Sequence, residues 1–126
     1  MTGLSRDLIA QALNARPAHW SGGPHVFVAR MSTCGHINPG AMAPAMKRNR
    51  GVLGLSADPA TPHDLRRTFT TEGGRIGIPR ADRQRVLGHV SRDVTAVYDL
   101  YEYDTEKRRA LDAWAQHLQA LASETT

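Results

Sequence analysis

The sequence has one cysteine, two lysines and no long apolar run. Cys34 stands alone, so no disulfide can form within the chain, which favours a reducing compartment. Cys34 and His36 lack further ligands at zinc spacing, so we expect no metal site. No stretch approaches the roughly 20 apolar residues of a membrane-spanning helix, and Met1 leads into a polar segment rather than a signal peptide. We therefore expect a cytoplasmic protein without a membrane partner.

What the sequence does contain is typical of one small globular domain with basic character. Of its 126 residues, 40% are hydrophobic and 22% are charged, with a net charge of +4. Its basic side chains are arginines apart from Lys47 and Lys107, and many are concentrated in one stretch. A concentration of this kind is typical of a surface that binds a phosphate backbone, although a solvated helix surface is the alternative for any single member. The concentrated residues are Arg66, Arg67, Arg75, Arg80, Arg83, Arg85 and Arg92.

The residue pattern predicts a mainly helical chain. Thr61, Pro62 and Asp64 combine an N-cap, a proline at the first helical position and an acidic residue three after the cap, which predicts a helix over 62–75. Gly88 predicts the end of a second helix over 80–87. Further helices are expected at 7–13, 92–98 and 105–121, and a poor helix, interrupted by Gly40 and Pro44, at 38–49. A short strand or extended piece is expected at 25–29, and loops are expected at 14–24 and 51–60.

The last helix carries apolar residues at helical spacing, so one of its faces requires a packing partner. Asp104 and Thr105 are its expected cap. Packing into the core of the chain and docking onto a neighbouring protomer are both open for this face. Its members are Leu111, Trp114, Ala115, Leu118 and Leu121.

Three short motifs follow one another in the second half of the chain. His63-Asp64-Leu65-Arg66-Arg67-Thr68 comes first, Leu87-Gly88-His89 follows, and Tyr98 lies nine residues after His89. An HxxR pair alone is weak evidence, but the three motifs in this order resemble the catalytic motifs of the tyrosine recombinases, the phage-integrase family. The resemblance runs from about Thr61 to Trp114, and its end is similar to that of proteobacterial prophage integrases.

The resemblance implies the C-terminal half of a tyrosine-recombinase catalytic domain, mainly α-helical with one short strand or hairpin. It implies site-specific DNA recombination or integration without a cofactor, in which Tyr98 attacks a phosphodiester and forms a phosphotyrosine. Arg66, His63 and His89 are the expected catalytic residues around that phosphate. Arginine suits the task because its planar, permanently charged fork grips two phosphoryl oxygens while charge develops on them.

Other residues near the motifs have expected roles in DNA contact or packing. Arg67, Arg85 and Arg92 are expected to contact the phosphate backbone. Tyr101 and Tyr103 are alternatives to Tyr98 as nucleophile, but spacing from His89 favours Tyr98, and packing before the last helix is the other interpretation of the pair. The expected partners are DNA and, through the last helix, a second copy or an intact recombinase.

Two cationic residues of the family have no match in this sequence. One is an arginine in an upstream Thr-Gly-apolar-Arg segment; here Thr2-Gly3-Leu4 is similar to that segment, but Ser5 stands at the position of the arginine. The other is a lysine on a β-hairpin; the two lysines of this chain, Lys47 and Lys107, fall on or near predicted helices instead. The resemblance therefore implies that residues 1–126 are one partial catalytic domain, without its N-terminal half or the arm-binding and core-binding domains, and that the isolated chain is inactive. A catalytically dead DNA-binding remnant and an interaction module that docks its last helix on an intact recombinase are the alternatives.

Two departures from the family pattern affect the expected fold. Gly73 and Gly74 lie within the first motif's helix, where each glycine costs about 1 kcal/mol relative to alanine. Asp82 and Arg83 stand where relatives usually have at least one apolar core residue. These features predict either a fold of low stability or an early end to the helix over 62–75.

Overall fold

The computed structural model describes residues 1–17, 24–29, 35–57, 59–89 and 101–124. The chain divides into two compact units, one of Gly3–Leu65 and the other of Met1–Thr2 with Arg66–Thr126. Within the described ranges, no helix combines the length and the apolar character that crossing a bilayer requires.

The described residues form five α-helices and one 3-10 helix, with almost no strand, so the predicted mainly α fold is confirmed. The predicted helix over 92–98 lies outside the described residues. The helices are α1 (Gly3–Asn14), the 3-10 helix (Pro39–Ala41), α2 (Met42–Arg48), α3 (Pro62–Arg75), α4 (Arg80–Val86) and α5 (Asp104–Glu124).

The unit of Gly3–Leu65 contains the short elements. α1 begins at Gly3, four residues before the predicted start, and none of its residues is buried. In the segment 25–29, predicted as a short strand or an extended piece, the described residues form one antiparallel bridge, between Val28 and His36. In the 38–49 region, the Asn38 side chain accepts a hydrogen bond from the Gly40 N–H at 2.8 Å and caps the 3-10 helix. Pro44 does not interrupt α2, because it lies in the first turn, where its missing N–H breaks no helical bond.

The unit that contains Arg66–Thr126 is built around a small apolar core. Phe69 of α3, Ile78 before α4 and Ala110 of α5 are buried together, and Trp114 packs against them. The Phe69 and Trp114 rings meet edge to face, with centroids 5.2 Å apart. This geometry adds an electrostatic attraction between the ring edges and faces to the burial of apolar area. Core packing therefore holds the first half of α5 in place.

The second half of α5 differs from its prediction. The helix starts at Asp104, which is its first residue rather than its cap, and ends at Glu124. Ala115 is buried as expected, but Leu118 is 38% exposed and Leu121 is 45% exposed. The apolar face predicted for the whole helix is thus covered only in its first part, because the core of this unit is too short to reach the end of a 21-residue helix.

Candidate active site

Reciprocal hydrogen bonds fix the start of α3 and, with it, the register of His63. Asp64 Oδ2 accepts from the Thr61 N–H at 2.9 Å and from the Thr61 hydroxyl at 2.7 Å, while the Asp64 N–H reaches Thr61 Oγ1 at 3.4 Å. This is the capping box that the sequence predicts, and α3 runs over the predicted residues. His63 lies in the first turn with an exposed side chain, three residues before Arg66.

The Leu87-Gly88-His89 motif is the C-terminal stop of α4. Gly88 has a φ of +68°, a conformation that glycine adopts without the steric cost of a Cβ. Its N–H donates to the Arg85 carbonyl at 3.1 Å, and the His89 N–H donates to the Gln84 carbonyl at 2.9 Å. This bonding pattern is a Schellman motif, which ends a helix and satisfies its last carbonyls. His89 is therefore held by its backbone, and its side chain is exposed.

A hydrogen bond joins the HxxR motif to this turn. Arg66 Nη2 donates to the carbonyl oxygen of Leu87, two residues before His89. Leu87 is the C-cap of α4, so its carbonyl is one that α4 itself leaves without a helical partner. The contact brings together two motifs that are 21 residues apart in sequence. Arg66 retains further N–H donors, because a guanidinium carries five.

A cleft of about 320 Å³ opens beside His89. Its wall carries two guanidinium groups, an imidazole, an amide and a hydroxyl. Neither Arg80 nor Arg83 pairs with a carboxylate among the described residues, and the same is true of Arg66. We call this feature the arginine cleft; its lining residues are Thr70, Arg80, Arg83, Gln84, Leu87 and His89.

The two glycines of α3 make room for Arg83. A Cβ on Gly74 would lie 2.9 Å from Arg83 Nη1, and one on Gly73 would lie 3.1 Å from Arg83 Cδ. The Arg83 side chain thereby crosses the last turn of α3 and donates from Nη1 to the Thr70 carbonyl oxygen. The helix does not end early at the glycines, as the sequence allowed; it continues to Arg75. The two glycines of α3 thus leave the space that the Arg83 side chain occupies.

The opposite side of α4 packs toward α5 through a buried carboxylate. Asp82 is only 3% exposed, and its two oxygens accept from Arg85 Nη1 at 2.9 Å and Arg109 Nη2 at 3.4 Å. The Arg85 guanidinium also stacks on Tyr103, with Cζ 3.7 Å from the ring centroid. We call these four residues the α4–α5 seam. Arg85 was predicted to contact DNA, but in this structure its charge is paired with Asp82 and its flat face is covered by a ring.

The remaining predicted residues are placed as follows. Arg67 is exposed on α3. Tyr98 and Arg92 lie outside the described residues. Tyr101 and Tyr103 pack edge to face before α5, with centroids 4.7 Å apart, which is the packing arrangement that the sequence left open for them.

The residues that could hold a metal do not form a cluster of three or more in the described part of the chain. Two of them, His25 and His36, are in contact, with ring centroids 4.6 Å apart. Cys34 lies outside the described residues. The side chains gathered at the arginine cleft are cations and neutral donors, a set that suits phosphate oxygens.

Sequence reasoning counted Arg80 and Arg83 among the concentrated arginines typical of a phosphate-binding surface, but it gave neither of them, nor Gln84, a position in the site. One signal was present: the positions 80, 83, 84 and 87 follow helical spacing and precede His89 by less than three turns, so they share a face that ends beside the motif. That spacing does not distinguish this face from the one bearing Asp82 and Arg85. The ion pairs in the structure make the distinction.

Comparison with known proteins links the chain to one family. A tyrosine recombinase XerC of Bradyrhizobium diazoefficiens is 42% identical to it over 64 residues, which are 51% of this chain and 20% of the relative. The match thus spans about a fifth of the length of that curated protein. No family model and no solved structure matches the chain. The identity over this segment supports membership of the chain in the tyrosine recombinase family.

Proposed function

We propose, from the support for tyrosine recombinase membership, that the chain supplies part of an active site that cuts and rejoins DNA, as in a prophage-type integrase of a bacterial cytoplasm. Tyr98 is the proposed nucleophile, and Arg66, His63 and His89 are the proposed groups around the scissile phosphate. The observation that carries the proposal is the hydrogen bond from Arg66 to the Leu87 carbonyl, because it holds the HxxR arginine at the Leu-Gly-His turn. Sequence order alone did not require that proximity.

The proposed reaction is a transesterification at phosphorus. Tyr98 Oη loses its proton and bonds to the phosphorus, while the bond from phosphorus to one deoxyribose oxygen breaks and that oxygen takes up a proton. Arg66 binds the phosphoryl oxygens, where fixed cationic donors stabilise the charge of the transition state. His63 and His89 are proposed to bind phosphate or transfer protons. The phosphotyrosine retains the bond energy, so rejoining reverses the same steps with a second strand.

We further propose that residues 1–126 act as one partial catalytic domain that depends on cations it does not itself supply. The upstream arginine and the hairpin lysine of the family have no match in this sequence. Lys47 lies in the last turn of α2, and Lys107 lies in the first turn of α5, where it pairs with Asp104 at 3.1 Å. Both lysines belong to helices, whereas the family's lysine belongs to a hairpin.

A second candidate function is docking of α5 onto another recombinase or a second copy of the chain. The observation that favours it is the exposure of Leu118 and Leu121 at the end of α5. The two candidates depend on different residues. Catalysis requires Tyr98 and Arg66, whereas docking requires the apolar end of the last helix.

A nicked suicide DNA substrate tests the proposed function by trapping a covalent adduct. We expect no adduct with the chain alone, because two missing cations, each contributing about 3–4 kcal/mol, should lower the rate by several powers of ten. A fusion that supplies the preceding catalytic segment of the matched XerC should form the adduct. Tyr98→Phe in that fusion should abolish it while DNA binding is retained, because only the reacting oxygen is removed.

The matched controls are Tyr101→Phe and Tyr103→Phe in the same fusion, which should leave adduct formation intact. Mass spectrometry of the trapped DNA–peptide adduct identifies the attached residue. A phosphate on Tyr101 or Tyr103 would contradict the assignment of Tyr98. Efficient adduct formation by the isolated chain would contradict the proposed need for additional cations.

A further inference from the structure

The arginine cleft concentrates positive charge that is not paired with a carboxylate of the described residues. Arg80 lies at the start of α4 with an exposed side chain and takes part in no ion pair or hydrogen bond among the described residues. Arg83 makes its one described hydrogen bond to a neutral carbonyl, that of Thr70. His89 stands at the same cleft. Four of the side chains that line the cleft can donate hydrogen bonds toward it, so an anion would be contacted from several sides.

The floor of the cleft is held in place by packing. Arg83 fits across Gly73 and Gly74 only because neither carries a Cβ. Its Nε is enclosed and has no hydrogen-bond partner among the described residues. A guanidinium that is partly withdrawn from water and lacks a carboxylate carries a desolvation cost, which an anion bound nearby offsets. The cleft is therefore a positively charged site in which a bound anion would stabilise the Arg83 guanidinium.

The dimensions and lining of the cleft indicate the class of anion. Its volume of about 320 Å³ is at the low end of the range for small-ligand sites. Five of the six residues that line the cleft, all except Leu87, carry a charged or polar group on the side chain. Planar guanidinium groups beside neutral donors match the oxygens of a phosphodiester.

We propose that the arginine cleft binds a phosphate of the DNA backbone next to the phosphate that Arg66 and His89 face. Arg80 is the contacting residue, and Arg83 forms the floor and keeps the cleft cationic. The inference rests on the proposed function in taking DNA as the ligand, but it requires no cleavage and no nucleophile. It assigns phosphate contact on α4 to Arg80 and Arg83 rather than to Arg85.

Salt-dependent DNA binding by the full chain tests the proposal. Fluorescence anisotropy with a random-sequence duplex is measured between about 50 and 200 mM salt, where each lost phosphate contact reduces the slope of log K against log salt by about one unit. We expect Arg80→Gln to reduce the slope by about that amount. The matched control is Arg75→Gln, which removes the same charge from an exposed arginine already paired with Glu72 at 2.8 Å and should leave the slope unchanged.

A second variant tests the floor of the cleft without removing a charge. Gly74→Ala should displace the Arg83 guanidinium, whose Nη1 lies 2.9 Å from the new Cβ position, while alanine favours the helix. We expect weaker duplex binding with an unchanged or higher Tm. The remaining comparison is between inorganic phosphate and chloride as competitors at matched ionic strength. We expect phosphate to displace the duplex no better than chloride does. If phosphate displaced the duplex at lower concentrations than chloride, the cleft would be a site for the free anion and the proposal would be overturned.

The outcomes separate this inference from the proposed catalysis. Equal slopes for Arg80→Gln and Arg75→Gln overturn the subsite, as does a wild-type chain that binds no duplex at low salt. Duplex binding by Gly74→Ala equal to wild type overturns the assigned role of Arg83. A further outcome is that the fusion forms no adduct while Arg80→Gln reduces the slope of log K against log salt as expected. That combination rejects the catalytic proposal and supports the phosphate subsite.

Discussion

The two sides of α4 carry arginines in opposite electrostatic states. On one side, Arg80 and Arg83 line the arginine cleft and pair with no carboxylate in the described ranges, whereas on the other side Arg85 shares Asp82 with Arg109. Both sides follow helical spacing, 80, 83, 84 and 87 against 82, 85 and 86. Net charge counts all these arginines equally. Among the described residues, the position of the buried Asp82 carboxylate determines that Arg85 and Arg109 form ion pairs, whereas Arg80 and Arg83 can contact a ligand.

The comparison also explains how a small core supports this unit. Phe69, Ile78, Ala110 and Ala115 are the buried apolar residues of the described chain. So few buried side chains leave little hydrophobic stabilisation for a folded unit. The seam adds the Asp82–Arg85 pair within α4, the contact of Asp82 with Arg109 of α5, and the Tyr103 ring stacked on the Arg85 guanidinium. We therefore expect substitutions on the seam side to change stability and substitutions in the cleft to change DNA binding.

The largest effect on stability should come from the core beneath the seam. Phe69→Ala removes a ring that is 6% exposed and packs on Trp114, so it should lower the free energy of unfolding by about 3–5 kcal/mol through lost burial and a cavity. Urea unfolding followed by circular dichroism measures the change. Phe27→Ala is the matched control, because Phe27 is 57% exposed and its loss should cost less than about 0.5 kcal/mol. Equal costs for the two variants would contradict the described core.

A change at Asp82 should have the next largest effect. Asp82→Asn keeps the size of the side chain but loses two charge-assisted hydrogen bonds, for a destabilisation of about 2 kcal/mol. Asp82→Leu should cost less, because an apolar side chain often replaces a buried ion pair without loss, and Arg85 and Arg109 are exposed enough to turn to water. Chemical denaturation of both variants gives the order.

The control for Asp82 is an exposed ion pair of similar spacing. Glu72→Gln breaks the pair with Arg75, whose side chain is 72% exposed, and should cost less than about 1 kcal/mol. If Asp82→Asn were as mild as Glu72→Gln, burial would not be what distinguishes the two pairs. The contrast between the two sides of α4 would then lose its physical basis.

The smallest effect should come from the aromatic ring of the seam. Tyr103→Leu removes the face on which Arg85 stacks and should lower stability by about 1 kcal/mol, the upper range for an incompletely buried cation–π pair. Tyr103→Phe keeps the ring and should therefore retain the stability that comes from the stacking. Both variants retain the same positive φ at this position, so the difference between them reports the ring alone. A loss of stability in the phenylalanine variant would assign the effect to the hydroxyl instead.

Local sequence signals predicted the boundaries around the site well. The capping residues Thr61 and Asp64 predicted the start of α3, and Gly88 predicted the stop of α4, because caps act through hydrogen bonds between residues close in sequence. α1 and α5 were predicted less well at their ends. Neither the start of α1 at Gly3 nor the continuation of α5 to Glu124 has so strong a local signal.

The roles of the site residues were also predicted only in part from the sequence. The order of His63, Arg66, His89 and Tyr98 predicted the family, and the similarity to a tyrosine recombinase supports it. Their catalytic roles, and the roles of Arg67 and Arg92 in DNA contact, stay predictions. Asp82 precedes Arg85 by three residues on α4, a spacing that allows an ion pair within the helix. The burial of Asp82, its second contact with Arg109 and the Tyr103 ring over Arg85 depend on packing between elements and could not be predicted from the sequence.

By itself, the sequence determined the helical class, the capped start of α3, the glycine stop of α4 and the resemblance in motif order, since each depends on residues close together or on their order. Only the tertiary structure decided that Gly73 and Gly74 accommodate Arg83, that Arg66 reaches the Leu87 carbonyl, and which arginines are neutralised. Apart from the Asp82–Arg85 pair within α4, these features depend on distances of a few ångströms between residues of different elements. Helical spacing determines which residues share a face of a helix, and the packing of the helices determines which residues of other elements contact that face.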